Sequence, residues 1–137
     1  MARDLLHKIV KEALLKDGWT ITHDPYRFED YDPEWEIDFG AEKIIAAERG
    51  LEKIAVEVKS FLELSFANEF HKILGQYLNY TSGLKRLEPE RVLFVAVPFT
   101  VYEEDFQRKG IQNSVLDYNV KILVFDKNKK EILEWKN

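Results

Sequence analysis

Cysteine is absent from the sequence, which excludes a disulfide framework, a thiolate metal site and a cysteine nucleophile. Any metal must then be held by oxygen or imidazole, so the hard ions Mg²⁺ and Mn²⁺ come first. A long apolar run is absent too. No stretch approaches the length of a membrane span, and Met1-Ala2-Arg3-Asp4 leads into a charged amphipathic segment rather than a secretion signal. No membrane association and a cytoplasmic location are therefore expected. Positive charge is scarce: 20 Lys and Arg against 25 Asp and Glu give a net charge of −5. That argues against a broad nonspecific nucleic-acid coat, which depends on cations neutralising phosphates, so any DNA contact must be local or shared with a partner. Without a Gly-rich phosphate loop or a Gly-x-Ser-x-Gly elbow, nucleotide-binding and acyl-transfer enzymes leave contention. No repeat or low-complexity segment interrupts the chain.

What is present fits one globular domain over residues 1–137, with 45% hydrophobic and 33% charged residues. Leu5, Leu6, Ile9, Val10, Ala13 and Leu14 recur at helical spacing, and Asp17-Gly18 supplies the stop. Trp19 to Thr22 alternates like a strand. His23 to Pro33, with two prolines and no period, reads as a long loop. From Trp35 the alternation resumes, with Trp35, Ile37 and Phe39 on one face and Glu36, Asp38 and Gly40 on the other. Arg49-Gly50-Leu51-Glu52 is the expected hairpin turn into Ile54–Lys59, where Ala55, Glu57 and Lys59 share a face. A helix follows over Phe66 to Ser82, with Gly83 as its stop, and then the nearly unbroken apolar run Arg91–Val97, which marks a central strand. A short helix near Tyr102–Gly110, a helical turn near Val115, a strand at Lys121–Phe125 and an edge strand at Ile132–Trp135 finish the chain. The expected order is α-β-β-β-α-β-α-β-β, a mixed central sheet flanked by helices.

A Glu and a Lys on one face of a Val/Ile strand are costly unless that face meets water, metal or counter-charge. Glu57 and Lys59 stand in that position, with Asp38 on the preceding strand. Two carboxylates and an ammonium at one end of a hairpin can bind Mg²⁺ or Mn²⁺ and leave ligand positions for a phosphate, with Lys59 orienting the attacking water or stabilising the charge that develops. A surface ion pair is the bland alternative. The element order around Asp38 and Glu57-Val58-Lys59 instead matches the PD-(D/E)XK core of the restriction-endonuclease-like fold, whose chemistry is phosphodiester hydrolysis. A turn centred on Gly50-Leu51 would put Glu57 opposite Ile44 and Glu42 nearly opposite Lys59, so Glu42 stands beside Asp38 as the second candidate ligand. On the following helix Gln76 and Tyr80, four residues apart, resemble the Gln-x-x-x-Tyr element of RecB-like nucleases; the bland reading packs Tyr80 and solvates Gln76. Related folds sometimes place a metal-ligating Glu on the first helix, but Glu12 fits a solvated face; His7 and His23 fit structural roles rather than metal ligation, with His23 or Asp24 bonding turn backbone, and His71 is expected to be exposed.

The segments Lys16 to Pro25, Ile37 to Glu42 and Ile54 to Phe61 resemble the XisH family, and the resemblance runs from the first helix to the last strand. It implies a cyanobacterial controlling factor for excision of the fdxN element, a DNA segment removed by a site-specific recombinase, commonly paired with a second factor, XisI. It also implies the endonuclease-like fold, while catalysis stays open. One expectation is a Mg²⁺-dependent endonuclease with Asp38 and Glu57 as ligands and Lys59 as catalytic cation. The other is a catalytically silent regulatory subunit that docks XisI or the recombinase, which the acidic charge favours. An accessory protein of the same fold with no link to recombination is a third. The Trp35 and Phe39 side, the Tyr26–Tyr31 loop and the Trp135 edge are the expected docking surfaces for another chain, a second copy included.

Overall fold

A computed structural model describes residues 2–46, 50–62 and 64–137. Helix α1, Ala2–Lys16, buries Leu6, Ile9, Val10, Ala13 and Leu14, the periodic stripe read from the sequence; Leu5 alone of the expected stripe is exposed. The helix stops because Gly18 adopts φ +91° while its N–H bonds to Leu15 O and the Trp19 N–H reaches back to Leu14 O. These two bonds satisfy terminal carbonyls, and the left-handed residue between them strongly favours glycine.

Six strands make the main sheet: β1 (Thr20–His23), β4 (Phe39–Ala46), β5 (Gly50–Val58), β6 (Arg91–Pro98), β7 (Ile122–Asp126) and β8 (Glu131–Lys136), adjacent in that order. β5, β6 and β7 are parallel; β1–β4, β4–β5 and β7–β8 are antiparallel. The β5–β6 crossover carries α2 (Phe66–Leu87), and the β6–β7 crossover carries α3 (Phe99–Glu104), a 3₁₀ turn at Asp105–Gln107 and α4 (Lys109–Asp117). α1 packs Leu6, Val10 and Leu14 against Phe39, Val56 and Phe125 in one core, and α2 packs Phe70, Ile73 and Tyr77 against Ala55, Val95 and Val97 in another. Each such side chain, fully buried, contributes about 1.5–3 kcal/mol. β6 runs through both cores, as its unbroken hydrophobicity requires.

Four expectations change. Within the supposed loop, β2 (Tyr26–Arg27) pairs with β3 (Glu36–Ile37), strands of two residues and thus too short to show a period. Ile37 and Phe39 do not share a face: Ile37 joins the α2 core and Phe39 the α1 core, because the chain passes at Asp38 from one sheet to the other. Gly83 does not end α2, which continues to Leu87; a Cβ at Gly83 would collide with the Phe28 ring, so this glycine admits a close approach instead of a stop. Finally, Gly50 already pairs with Ala46 in β5, which places Gly50–Glu52 in the strand; the connection at 47–49, with Arg49 of the expected turn, lies outside the described residues. The docking surfaces also shrink, since Tyr26, Phe28 and Phe39 are all buried. Among the described residues no helix is long and apolar enough to cross a membrane.

Candidate functional site

Moving the hairpin turn back changes the register. Phe39 faces Val56, so Asp38 arrives level with Glu57, whereas Glu42 faces Lys53 farther down the hairpin. Asp38 enters where β4 begins and Glu57 leaves where β5 ends, at the carboxyl ends of the parallel strands, where open α/β sheets form their ligand crevices. Each carboxylate is tied to the backbone of the other's strand end: the Val58 N–H donates to Asp38 Oδ2 at 2.8 Å, and the Asp38 N–H donates to Glu57 Oε1 at 3.2 Å. Lys59 Nζ stands 3.2 Å from the other oxygen, Glu57 Oε2. Burial pushes the Glu57 carboxyl up to about 7, the Asp38 charge pushes the same way, and Lys59 offsets only part of this.

α2 forms the facing wall of a cleft of about 820 Å³ that takes in Asp38, Glu57, Lys59, Gln76 and Tyr80. Gln76 and Tyr80, one turn apart, both reach this cleft. The Gln76 Oε1 is buried without a hydrogen-bond partner, a costly state for an amide oxygen. Burial, together with the charges of Glu57, Asp38 and Glu36, raises the Tyr80 hydroxyl above its usual range, which keeps it a donor.

Glu42 is not brought to this cleft. Its Oε2 lies 3.2 Å from Arg91 Nη2, within a separate cluster in which Arg91 also bonds Glu88 at 2.6 Å and the Ile54 carbonyl at 2.8 Å. Among residues read as structural, His7 lines the cleft, its ring stacked 4.2 Å from Phe39 and its Nε2 3.5 Å from Asp24, which Lys11 holds at 2.9 Å in place of turn backbone. Glu12 is exposed beside Lys130 at 3.5 Å, and His71 is exposed. Glu69 went unnoticed in the sequence. It is buried in the first turn of α2 and lines the cleft. The signal that finds it is spacing, since Glu69, Gln76 and Tyr80 stand at i, i+7 and i+11 on one helix face.

Among the described residues no three His, Asp or Glu side chains gather closely enough to hold a metal by themselves. The donor set nevertheless fits a hard divalent cation. Mg²⁺ retains several waters and needs only one or two carboxylates, and a cation would relieve the repulsion that raises Glu57 and give Gln76 Oε1 a water to accept from.

Fold and site thus define a mixed α/β protein, a six-stranded sheet flanked by helices, with paired carboxylates and a lysine at the crevice end of β5. The chain belongs to the XisH family, whose model, described as XisH protein, matches residues 1–133. It is similar to the crystal structure of an XisH family protein from Nostoc punctiforme, with 43% identity, 98% of this chain and 100% of that one covered, and a TM-score of 0.87. A fdxN element excision controlling factor protein from Anabaena variabilis is 42% identical, with 98% and 99% covered and a TM-score of 0.86. No curated protein matches the chain.

Proposed function

We propose that this protein is an excision controlling factor in programmed site-specific DNA rearrangement and that its cleft is a PD-(D/E)XK-type site, on a restriction-endonuclease-like fold, for Mg²⁺- or Mn²⁺-dependent hydrolysis of DNA phosphodiesters. The observation that carries the reading is the interlocked pair Asp38 and Glu57 with Lys59 on the outer oxygen. The name of the Anabaena variabilis relative supports the rearrangement role. A bound cation would activate a water and neutralise charge on the phosphorane. Asp38 and Glu57 would hold that cation. Lys59 orients the attacking water or stabilises the charge that builds on phosphate oxygen. Gln76 Oε1 would be free to accept a hydrogen from a water in the cleft, and the Tyr80 hydroxyl would donate into it.

One observation favours a second reading, a catalytically silent subunit that docks an XisI-type factor or a recombinase: among the described residues four carboxylates, Glu36, Asp38, Glu57 and Glu69, line the cleft and Lys59 is its only lysine or arginine. The deciding experiment is cleavage of supercoiled, linear and branched DNA with Mg²⁺ or Mn²⁺, beside Glu57→Ala and Lys59→Ala, with and without the partner factor. Metal-dependent cutting abolished by both substitutions is the expected result. No cutting by the unaltered protein, or cutting that survives Glu57→Ala, would leave the regulatory reading, which sizing and co-purification with the partner then test against a homo-oligomer.

A further inference from the structure

The turn that leaves β5 is held in a conformation its sequence does not favour. Phe61 has φ +56°, in the left-handed region that bulky residues avoid because the side chain crowds the backbone carbonyl. Outliers of this kind persist where their surroundings over-determine them, and they gather at functional sites. The Phe61 N–H donates to Glu69 Oε1 at 3.0 Å, and the Phe61 ring lies 5.2 Å from that of Phe66 and 5.4 Å from that of Phe106. Glu69 is only 8% exposed, although a carboxylate is costly to bury.

This turn follows directly on the site. The Lys59 N–H makes the final ladder bond, to Ala96 O at 3.2 Å, and the chain must then leave the sheet through Ser60, itself a wall of the cleft. Two residues past Lys59 the backbone is fixed again, on Glu69. We propose that Glu69 is a positioning residue. With the left-handed Phe61 it forms a latch that sets the direction in which the chain leaves β5 and thereby keeps the Lys59 ammonium on Glu57. The inference rests on Asp38, Glu57 and Lys59 being the functional group of the cleft and adds a member from another element.

The test reads Lys59 directly. Acylation of the full chain by an N-hydroxysuccinimide ester, without metal or DNA, is followed at each lysine by mass spectrometry, with Lys53 and Lys136, both ion-paired at 3.2 Å, as internal references. Glu69→Ala removes the acceptor, Glu69→Asp withdraws it by one methylene while keeping the charge, and Glu69→Gln retains an acceptor oxygen. Losing the Phe61 bond should raise the Lys59 rate, relative to the references, about five-fold in Ala and Asp, and Gln should stay within about two-fold of the unaltered protein. An unchanged Lys59 rate in Asp, references that rise in parallel with it, or Gln behaving like Ala would each overturn the latch; if Ala does not fold, Asp against Gln decides. Cleavage plays no part in the measurement. A protein that never cuts DNA sinks the nuclease reading and leaves the latch to be judged on Lys59 alone.

Discussion

Two groups of buried charge lie along β5, and they are built to opposite rules. In the Arg91 group every demand is met. The guanidinium bonds Glu88 and Glu42 and two backbone carbonyls, the Tyr26 ring lies 5.0 Å beneath it, and Tyr26 and Lys53 also reach Glu88. Burial alone would raise the Glu88 carboxyl, yet its bonds to Arg91 and Lys53 outweigh burial and hold it down at about 2. In the Asp38–Glu57 group two carboxylates face one lysine, and Glu57 goes up to about 7. A buried cluster that satisfies itself holds elements together; one that leaves repulsion and an orphaned amide oxygen is prepared for something else.

The contrast can be broken most forcefully at Arg91. Arg91→Met takes the guanidinium from Glu42 and leaves Glu88 to Lys53, and a loss of about 3–5 kcal/mol is expected in chemical denaturation. Glu57→Gln should behave in the opposite way and leave neutral-pH stability unchanged or higher.

The next effect is in pH. Folded Glu57 keeps its proton up to about 7, against a usual value of 4.5, so in that interval the folded state binds more protons than the unfolded. Its contribution is complete below the usual value and lost as pH rises through about 7, a fall of roughly 3 kcal/mol, which Glu57→Gln should abolish in urea titrations across that window. Glu88 carries the other sign: its contribution is present above the usual 4.5 and lost as pH falls toward about 2. A stability profile without these opposed limbs would end the comparison.

A smaller effect is expected at Gly83→Ala. Alanine improves helix propensity by about 1 kcal/mol, but its methyl meets the fully buried Phe28 ring, and overpacking costs about 1–3 kcal/mol, so the net is a modest lowering of the melting temperature. Glu12→Gln gives the baseline. Its exposed pair with Lys130 should contribute less than about 1 kcal/mol, within the scatter of thermal melts.

The parts legible in the sequence were those with a period or a rigid turn: the α1 stripe, the Asp17-Gly18 stop, the double burial of β6, and the strand faces around Glu57. Strands of two residues have no period to show. The tip of the β4–β5 hairpin carries no turn dipeptide strong enough to fix register, so a small shift there set Glu42 beside Asp38 as a candidate. Gly83 has the composition of a stop, and only the distant Phe28 reveals its other use. Glu69 was hidden because an acid beside a buried helical stripe is ordinarily solvated.

Phe28 against Gly83 carries one more implication. The arm from Asp24 to Ile37 makes its strand pairing internally, β2 with β3. It rests on α2 through Phe28 at Gly83 and the Phe28–Tyr80 and Trp35–Tyr80 ring contacts at 5.8 Å. Asp38 begins where this arm ends, and Gln76 and Tyr80 ride on the helix it rests against. The gap between the two jaws of the cleft is therefore set in part as a caliper is, by one phenyl ring against a bare stretch of helix backbone.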